Sequence, residues 1–326
     1  MEAAETVYRT RELAGKLFHC DPEQVVFTTN CTQGLNMAMG SLLKPGMRVA
    51  ISGFEHNAVT RTLHAMGARV MVCGRKLFDW EDTLREFRRA LESGVEAAVF
   101  THASNVFGYI LPIEEMAKLC RLYGIPFVVD GAQSAGTQVL DFTALGADFV
   151  AMPGHKGLLG PQGTGLLLCK DTVKPLLFGG TGSQSRLQEM PAELPDRAEA
   201  GTLNVPGIAG LGAGLAYLLQ EGVGKIGSRE HRQAAQCAAY LEKKGIRVFR
   251  GAHQGGTVSF VPPGDCEEFA ARLWEKGIAV RAGLHCAPLA HESAGTLETG
   301  TVRISFGYNA NQRETEGFIR AIASVH

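Results

Sequence analysis

The sequence predicts an α/β protein whose first part is a mostly parallel sheet with helices on both faces. Short apolar runs of strand length alternate with segments in which apolar residues recur at helical spacing. The apolar runs are nearly continuous, as expected of strands buried on both sides. From residue 223 the order of elements changes, which predicts a large domain over 1–222 and a smaller α+β domain over 223–326.

The elements of the predicted large domain follow in chain order. A first helix is expected at 2–19, because Val7, Ala14, Leu17 and Phe18 share one helical face. Strands are expected at 25–28, 48–51, 69–72, 97–101, 125–130, 148–152 and 165–169. Further helices are expected at 30–43, 57–66, 80–91, 113–123 and 205–220. The segment 178–197 is rich in Gly, Ser, Gln, Glu and Pro without a period, which predicts a long loop.

The predicted small domain begins near Gly222, Val223 and Gly224. Its pattern indicates the helices 228–244 and 266–275, and the strands 247–250, 256–261, 278–281 and 301–305. The run from Ala290 to Gly300 has no clear period, so it is expected to be flexible.

Composition excludes several classes of function. The 326 residues carry a net charge of −1 and no basic stripe, so no nucleic-acid partner is expected. The 8 cysteines include no C-x-x-C pair, which argues against a metal site and favours a reducing cytoplasmic location. No signal peptide is visible, and the longest mainly apolar run, 207–219, is too short to span a membrane.

A lysine and an acid stand at the ends of two predicted strands. Asp130 ends the strand 125–130, and Lys156 follows 26 residues later in a Gly- and Pro-rich turn. Ligands of doubly wound sheets bind at the carboxyl ends of strands, and desolvation favours the neutral, nucleophilic form of a lysine. The pair suits pyridoxal phosphate, since a lysine can form the Schiff base while an acid pairs with the pyridinium nitrogen. The alternative is that Lys156 is an exposed turn lysine.

The motif Asp130-Gly131-Ala132-Gln133-Ser134, followed by Gly154-His155-Lys156, resembles class V, fold-type I pyridoxal-phosphate enzymes. Within them it is similar to the cysteine desulfurase and selenocysteine lyase group. The resemblance runs from about Glu5 to the C-terminus. It implies a fold-type I transferase with a seven-stranded, mostly parallel sheet, a pyridoxal 5'-phosphate cofactor and a homodimer. Members usually carry an earlier segment with an Asn-Ala-Ala-type motif near the active site. This sequence lacks that motif, so we expect either a fragment or a member that has dispensed with it.

The resemblance also implies the residues that bind the cofactor. These are Cys31, Thr32, His102, Asp130, Gln133, His155 and Lys156, with Thr202 reaching the phosphate from the partner subunit. Cys31 and Thr32 open a helix, where free N–H groups favour a phosphate, although a plain N-cap is the alternative reading of that turn. His102 is expected to stack on the pyridine ring and assist proton transfer.

The same resemblance implies a separate cofactor contact for Gln133 and for His155. Gln133 is expected to donate to the phenolic oxygen, and His155 to bind the phosphate. Pro153 stands where the family usually has a serine or threonine phosphate ligand, so one phosphate contact is expected to be missing.

A second chemical stretch runs from Arg281 to Leu289. Cys286 follows a histidine and has two arginines near it, which favours a thiolate. The resemblance implies that Cys286 attacks the substrate sulfur, that Arg303 clamps the substrate carboxylate, and that Asn105 lies beside the substrate or cofactor. The 17 positions from Cys286 to Arg303 resemble the compact loop of the group that includes the selenocysteine lyases.

The activity implied is conversion of L-cysteine to L-alanine with a persulfide left on Cys286. Lys156, Cys286 and His102 are the expected catalytic residues, L-cysteine or selenocysteine the expected substrate, and a sulfur-acceptor protein an expected partner. Two alternatives remain open. One is another pyridoxal enzyme of this fold, an aminotransferase or β-lyase, which would not need Cys286. The other is a truncated, non-catalytic member.

Overall fold

A seven-stranded sheet organises the first part of the chain in the computed structural model, which describes residues 2–171 and 173–325. Its spatial order is β1-β7-β6-β5-β4-β2-β3. The strands are β1 (Val25–Thr28), β2 (Arg48–Ser52), β3 (Arg69–Cys73), β4 (Ala97–Thr101), β5 (Phe127–Asp130), β6 (Phe149–Pro153) and β7 (Gly165–Cys169). All seven predicted strands are therefore present, with bounds that differ by two residues or fewer.

The sheet is parallel except at one strand. The pairs β2–β3, β2–β4, β4–β5 and β5–β6 are parallel, whereas β7 runs antiparallel to both β6 and β1. The prediction of a mostly parallel sheet is confirmed. In the register of the central strands, Asp130 lies beside Thr101 of β4 and Ala151 of β6. Residues that follow these strands therefore gather at one edge of the sheet.

Helices cover both faces of this sheet. On β4, Ala98 and Phe100 pack into one hydrophobic cluster, while Ala97 and Val99 pack into a second cluster on the opposite face. This two-sided burial explains why the strands are continuous apolar runs. The helices of this part are α1 (Glu2–Phe18), α2 (Cys31–Leu42), α3 (Asn57–Ala65), α4 (Trp80–Glu92), α5 (Ile113–Tyr123), α6 (Phe142–Leu145) and α7 (Val205–Glu221).

A three-stranded antiparallel sheet with its own core forms the second part, in the order β10-β9-β8. Its elements are α8 (Val223–Lys243), β8 (Arg247–Phe249), β9 (Thr257–Val261), α9 (Cys266–Glu275), α10 (Pro288–Ala294), β10 (Val302–Ser305) and α11 (Gln312–Val325). Gly222 separates α7 from α8 with a φ of +86°, a conformation that glycine adopts without strain. The domain division at residue 222 stays a prediction.

Two predictions for the second part are wrong. The expected strand 278–281 is reduced to a single bridge between Arg281 and Arg303, because the N–H of Ile278 instead donates to the Leu273 carbonyl at 3.0 Å, at the end of α9. The expected flexible run 290–300 instead overlaps α10, and its side chains His291 and Thr296 are buried. The long loop between β7 and α7 is confirmed for the residues described there. Within 2–171 and 173–325, no helix is both long and apolar enough to cross a bilayer.

Candidate active site

The candidate site lies at the edge where β4, β5 and β6 end. Asp130 is the last residue of β5, His102 follows β4, and Lys156 lies in the turn between β6 and β7. The backbone N–H of His102 donates to the backbone carbonyl of Asp130 at 2.9 Å, which joins the ends of β4 and β5. The sequence-predicted residues of three separate strands therefore meet in one place.

Two glycines let the lysine turn pack against the segment that follows Asp130. A Cβ at Gly136, whose φ is +86°, would lie 2.0 Å from the carbonyl oxygen of Gly157. A Cβ at Gly157 would lie 2.3 Å from the carbonyl oxygen of Ala135. No side chain fits at either position without moving backbone, so this close approach determines where Lys156 stands relative to Asp130.

The carboxylate of Asp130 is almost completely buried, with 2% of its surface exposed. Its Oδ1 accepts hydrogen bonds from the N–H of Ala132 at 2.9 Å and from Sγ of Cys31 at 3.4 Å. A buried charged group needs such partners, because desolvation alone would disfavour the charge.

Lys156 is exposed to water and lines a concave cleft, so its exposure agrees with the alternative of an exposed turn lysine. Desolvation by the cleft walls nevertheless lowers the pKa of its ammonium, and the nearby charge of Asp130 opposes that shift. Arg303 and Arg281 lower the pKa further. A larger fraction of the amine is therefore neutral, and so nucleophilic, than in a free lysine.

The imidazole of His102 is buried, with 3% of its surface exposed. Desolvation lowers the pKa of His102 to about 4, so the ring is neutral near pH 7. Its Nδ1 atom has no hydrogen-bond partner. A buried polar atom without a partner is rare in a native protein and indicates a group that a ligand completes.

The start of α2 carries the expected phosphate-binding residues. The Asn30 side chain caps the helix by accepting from the N–H of Gln33 at 2.9 Å, so the turn is an N-cap as well. Thr32 is exposed toward solvent, and the first N–H groups of a helix have no partner within it. His155 is also exposed and Gln133 is half-buried, so these side chains are accessible to a ligand. Their cofactor roles stay predictions.

Cys286 lies in a tightly held loop. His285 and Cys286 have φ values of +51° and +58°, a left-handed conformation that costs roughly 1–2 kcal/mol for each non-glycine residue. The Asn105 side chain donates to the His285 carbonyl at 2.7 Å, and the N–H of Asn57 donates to the Cys286 carbonyl at 2.8 Å. These bonds hold the strained turn and leave the thiol exposed.

Two guanidinium groups lie near this thiol. Arg281 Nη2 is 3.4 Å from the sulfur of Cys286. Arg303 pairs with Arg281 through the backbone and donates from Nη1 to the Asn105 carbonyl at 2.8 Å. The Nε of Arg303 and the Oδ1 of Asn105 are buried without partners. An anionic group with hydrogen-bonding oxygens suits the Arg303 position.

Sequence reasoning missed two residues that follow β2. Glu55 is fully buried and accepts from the N–H groups of Ser52 and Thr101, which joins β2 to β4. His56 accepts from the N–H of Ala58 at 3.0 Å through Nδ1. Desolvation lowers the pKa of His56, Asp130 opposes the shift, and Lys156 and Arg281 add to it, so His56 lies among the site charges. The signal was available, since both residues lie within four positions of the end of a buried strand.

Two buried, neutral histidines flank Cys286: His285 lies in the same loop, and His291 lies in α10. His285 Nε2 is 3.1 Å from the Thr301 carbonyl oxygen, and His291 Nδ1 is 2.8 Å from the Thr296 hydroxyl. Desolvation, then the charge of Arg303, lowers the pKa of His285 to about 3, and desolvation lowers the pKa of His291 to about 4. The interior thus holds uncharged rings that resist protonation.

These histidines should make the protein less stable in acid. An unfolded histidine titrates near pH 6.5, so between about pH 6.5 and 4 the unfolded chain binds protons that the folded chain does not. The free energy of unfolding should therefore fall as pH falls, by up to about 1.4 kcal/mol per pH unit for each buried histidine. Denaturant unfolding at several pH values should give a shallower slope for His291→Asn and an unchanged slope for the exposed His231→Asn. Equal slopes for His291→Asn and the parent protein would contradict this account.

The residues of the cleft fit pyridoxal phosphate. The unpartnered Nδ1 of His102 and Nε of Arg303 are polar atoms that a bound ligand would complete. Asp130 supplies a buried carboxylate for a ring nitrogen, Lys156 an amine for an aldehyde, and the start of α2 a site for a phosphate. A cavity of about 780 Å³ between the two parts of the chain opens beside Lys156 and Gln133. His155 also lines this cavity, so three of the residues that the resemblance assigns to the cofactor border it.

Comparisons with known proteins agree with the fold and cover nearly the whole chain. The family model of the Aminotransferase class-V proteins matches residues 1–318. The chain is 32% identical over 333 residues to a probable cysteine desulfurase of Methanothermobacter thermautotrophicus, covering 97% of this chain and 82% of that protein. Its structure is similar to the apo structure of a cysteine desulfurase from Thermococcus onnurineus NA1, with a TM-score of 0.90, 29% identity, and coverage of 99% and 84%. It is also similar to the cysteine desulfurase CsdA of Escherichia coli, with a TM-score of 0.89, 26% identity and the same coverage.

Proposed function

This chain belongs to the class-V aminotransferase family, in its cysteine desulfurase group, and from that premise we propose that it converts L-cysteine to L-alanine and retains the sulfur as a persulfide on Cys286. The family depends on pyridoxal phosphate, and we assign that cofactor to the cleft around Asp130 and Lys156. The site residues and their roles are part of the proposal.

The exposed thiol of Cys286 is the observation that carries this function. All eight cysteines lie in the described part of the chain and are unpaired, and Cys286 alone among them is exposed. Arg281 donates to its sulfur, and a cationic donor stabilises negative charge there. An aminotransferase or a simple β-lyase has no step that needs a thiol at this position.

When bound, pyridoxal phosphate supplies an aldehyde carbon for the substrate amine and an electron sink for the pair released at Cα. The Asp130 carboxylate holds a proton on the ring nitrogen by pairing with it. The Lys156 amine first holds the cofactor and then, in its neutral form, accepts the α-proton at Nζ. His102 is neutral and buried, and its unpartnered Nδ1 would hold or release a proton beside the bound cofactor.

Substrate binding falls to Arg303 and its neighbours. The guanidinium of Arg303 donates two hydrogen bonds to the substrate carboxylate. Its buried Nε, which has no partner in the protein, gains one in this way. Asn105 contributes by holding both Arg303 and the Cys286 loop, since it bonds to each of them. One asparagine therefore links the position of the carboxylate site to the position of the thiol.

The sulfur step transfers one atom from substrate to enzyme. The Cys286 thiolate attacks the substrate sulfur and forms an S–S bond, while the bond between the substrate sulfur and Cβ breaks. The electron pair of the broken bond ends on Cβ, which takes up a proton and becomes the methyl group of alanine. The two sulfurs are oxidised to the persulfide level and the carbon is reduced, so no external oxidant or reductant is needed.

Incubation of the protein with L-cysteine, with alanine, pyruvate and sulfide measured together, tests the proposal. Alanine should form, and without a reductant the Cys286 peptide should gain the mass of one sulfur atom. Pyruvate with free sulfide would indicate a β-lyase, amino-group transfer an aminotransferase, and no product from a folded, cofactor-loaded protein a non-catalytic member. A parallel run with selenocysteine ranks the two substrates.

The acceptor and the cellular location follow from the thiol chemistry. A persulfide on an exposed cysteine is accessible to the thiol of a second protein, which supports a sulfur-acceptor protein as partner. Eight unpaired cysteines suit the reducing cytoplasm.

The active unit is proposed to be a homodimer. Thr202 is exposed on the loop before α7, and this loop is anchored by Glu199, which pairs with the buried Arg11 at 2.8 Å. The same loop exposes Leu177 and Phe178, with 58% and 80% of their surface accessible. Apolar side chains grouped in this way favour coverage by another subunit.

Thr202→Ala should weaken retention of the cofactor by about 1–3 kcal/mol, the usual loss for a hydrogen bond to a charged group. The measurement is the dissociation constant of pyridoxal phosphate, followed by its visible absorbance. Mixing Thr202→Ala protomers with Lys156→Ala protomers decides whether the threonine acts across the interface. Mixed dimers should regain one complete site, whereas a threonine that serves its own subunit would give none.

A further inference from the structure

The carboxylate of Asp130 is hydrogen-bonded through only one of its two oxygens. Oδ1 accepts from both Ala132 N–H and Cys31 Sγ. Oδ2 accepts no hydrogen bond from any residue that the structure describes. Two donors on one oxygen hold the carboxylate in a single orientation and leave the other oxygen available to a ligand.

Cys31 and Thr32 point in different directions from the start of α2. Cys31 is 7% exposed and packs in the cluster that includes Val26, Val128 and Ala151. Thr32 is exposed. A Cβ at Gly34 would lie 3.2 Å from the Ala151 Cβ, so glycine allows this helix to approach β6 closely. The close packing directs the thiol toward Asp130, whereas Thr32 is exposed to solvent.

We infer that Cys31 is a positioning residue whose thiol holds the Asp130 carboxylate toward the ring nitrogen of the cofactor, and that the Cys31 side chain does not bind the phosphate. This inference rests on the proposed pyridoxal phosphate cofactor. Sequence reasoning grouped Cys31 with Thr32 as phosphate residues, since they are adjacent at a helix start. The contact with Asp130 separates their roles.

The thiol suits this task chemically. Desolvation, together with the charge of Asp130, keeps the pKa of Cys31 well above its usual value, so its sulfur retains the proton that it donates. A thiol is a weak donor and tolerates apolar neighbours. It therefore restrains the orientation of the Asp130 carboxylate through a weak hydrogen bond without giving up its proton.

Ligands with and without a phosphate distinguish the two roles. Binding of pyridoxal phosphate and of pyridoxal is measured by absorbance titration for the parent protein, Cys31→Ala, Cys31→Ser and Thr32→Ala. Cys31→Ala should weaken both ligands by the same factor, about 3- to 10-fold, the range expected for one net hydrogen bond. Cys31→Ser should restore most of the loss, because a hydroxyl can make the same bond. Thr32→Ala, the matched control, should weaken only the phosphorylated ligand.

A second measurement needs no cofactor. Alkylation of Cys31 in the cofactor-free protein is followed by peptide mass spectrometry, with Cys20 in the same digest as reference. Asp130→Asn should raise the alkylation rate of Cys31 relative to Cys20 by about 10-fold, because removing the adjacent negative charge increases the thiolate fraction. In the Asp130→Asn background, Cys31→Ala should no longer weaken binding of either ligand by more than about twofold.

Three results would overturn the inference. They are a loss confined to the phosphorylated ligand in Cys31→Ala, losses that simply add in the double variant, and an alkylation ratio that Asp130→Asn leaves unchanged. Failure of the parent protein to bind either ligand would contradict the proposed cofactor. The alkylation ratio would then still show whether the Cys31 thiol contacts Asp130. Circular dichroism of each variant identifies loss of folding, and Cys31→Ser provides a well-packed replacement if Cys31→Ala unfolds.

Discussion

Cys286→Ala should keep the yellow cofactor, still change its visible spectrum on addition of L-cysteine, and release almost no alanine. Lys156 and Asp130 act before the carbon–sulfur bond breaks, whereas Cys286 acts only when it breaks. Removing a nucleophile that works within such a unit commonly costs ~10³-fold or more in turnover. The measurement is the initial rate of alanine formation at saturating L-cysteine, with the spectrum recorded in the same sample.

Cys20→Ala is the matched control for this variant. Cys20 is partly exposed and lies at the end of α1, next to a separate cavity lined by Lys16 and Thr143. Its removal should leave alanine formation unchanged. If Cys286→Ala forms alanine from cysteine at nearly the parent rate, the sulfur leaves without this thiol and the desulfurase assignment fails. The test must use cysteine, since a selenium substrate loses its heteroatom more readily.

Lys156→Ala should bind no cofactor covalently and lose activity by a similar or larger factor. Lys156 is proposed to have two roles, because it holds the cofactor carbon and removes the α-proton, and it is the only lysine that lines the described cavity. Borohydride reduction followed by peptide mapping is the direct measurement. In the parent protein the visible band should disappear and the added mass should lie on the Lys156 peptide.

Lys170→Ala serves as the control for the lysine variant. Lys170 follows β7 and is exposed, so its loss should change neither the spectrum nor the labelled peptide. Added mass on any lysine other than Lys156 would contradict the assignment of the site. Added methylamine can replace a missing proton acceptor, so partial recovery of Lys156→Ala with methylamine would support the second role of this amine.

Buried strands are what the sequence predicted best. Continuous apolar runs such as 97–101 and 165–169 match β4 and β7 at both ends, because burial on both faces leaves little freedom in composition. Helix bounds were also close where a cap is encoded locally. α4 begins after Asp79, whose side chain accepts from the N–H of Asp82.

The compact segment around Cys286 was predicted least well. Its backbone is held by donors distant in sequence, the Asn105 side chain and the N–H of Asn57. No local pattern encodes such contacts, so residues 290–300 were expected to be flexible although His291 is completely buried. Two successive left-handed residues that are not glycine cannot be predicted from propensity, since tertiary contacts offset their strain.

The sequence by itself determined the fold class, the family resemblance, and the pair of Asp130 and Lys156 at strand ends. These follow from chain order and periodicity, which are local properties of the sequence. Only the tertiary structure decided that the Cys31 thiol contacts Asp130, and that Glu55 and His56 lie near the predicted site residues. The physical reason is that a side chain's partner depends on the packing of separate elements, here α2 against β5 and β6, and a linear pattern does not contain that packing.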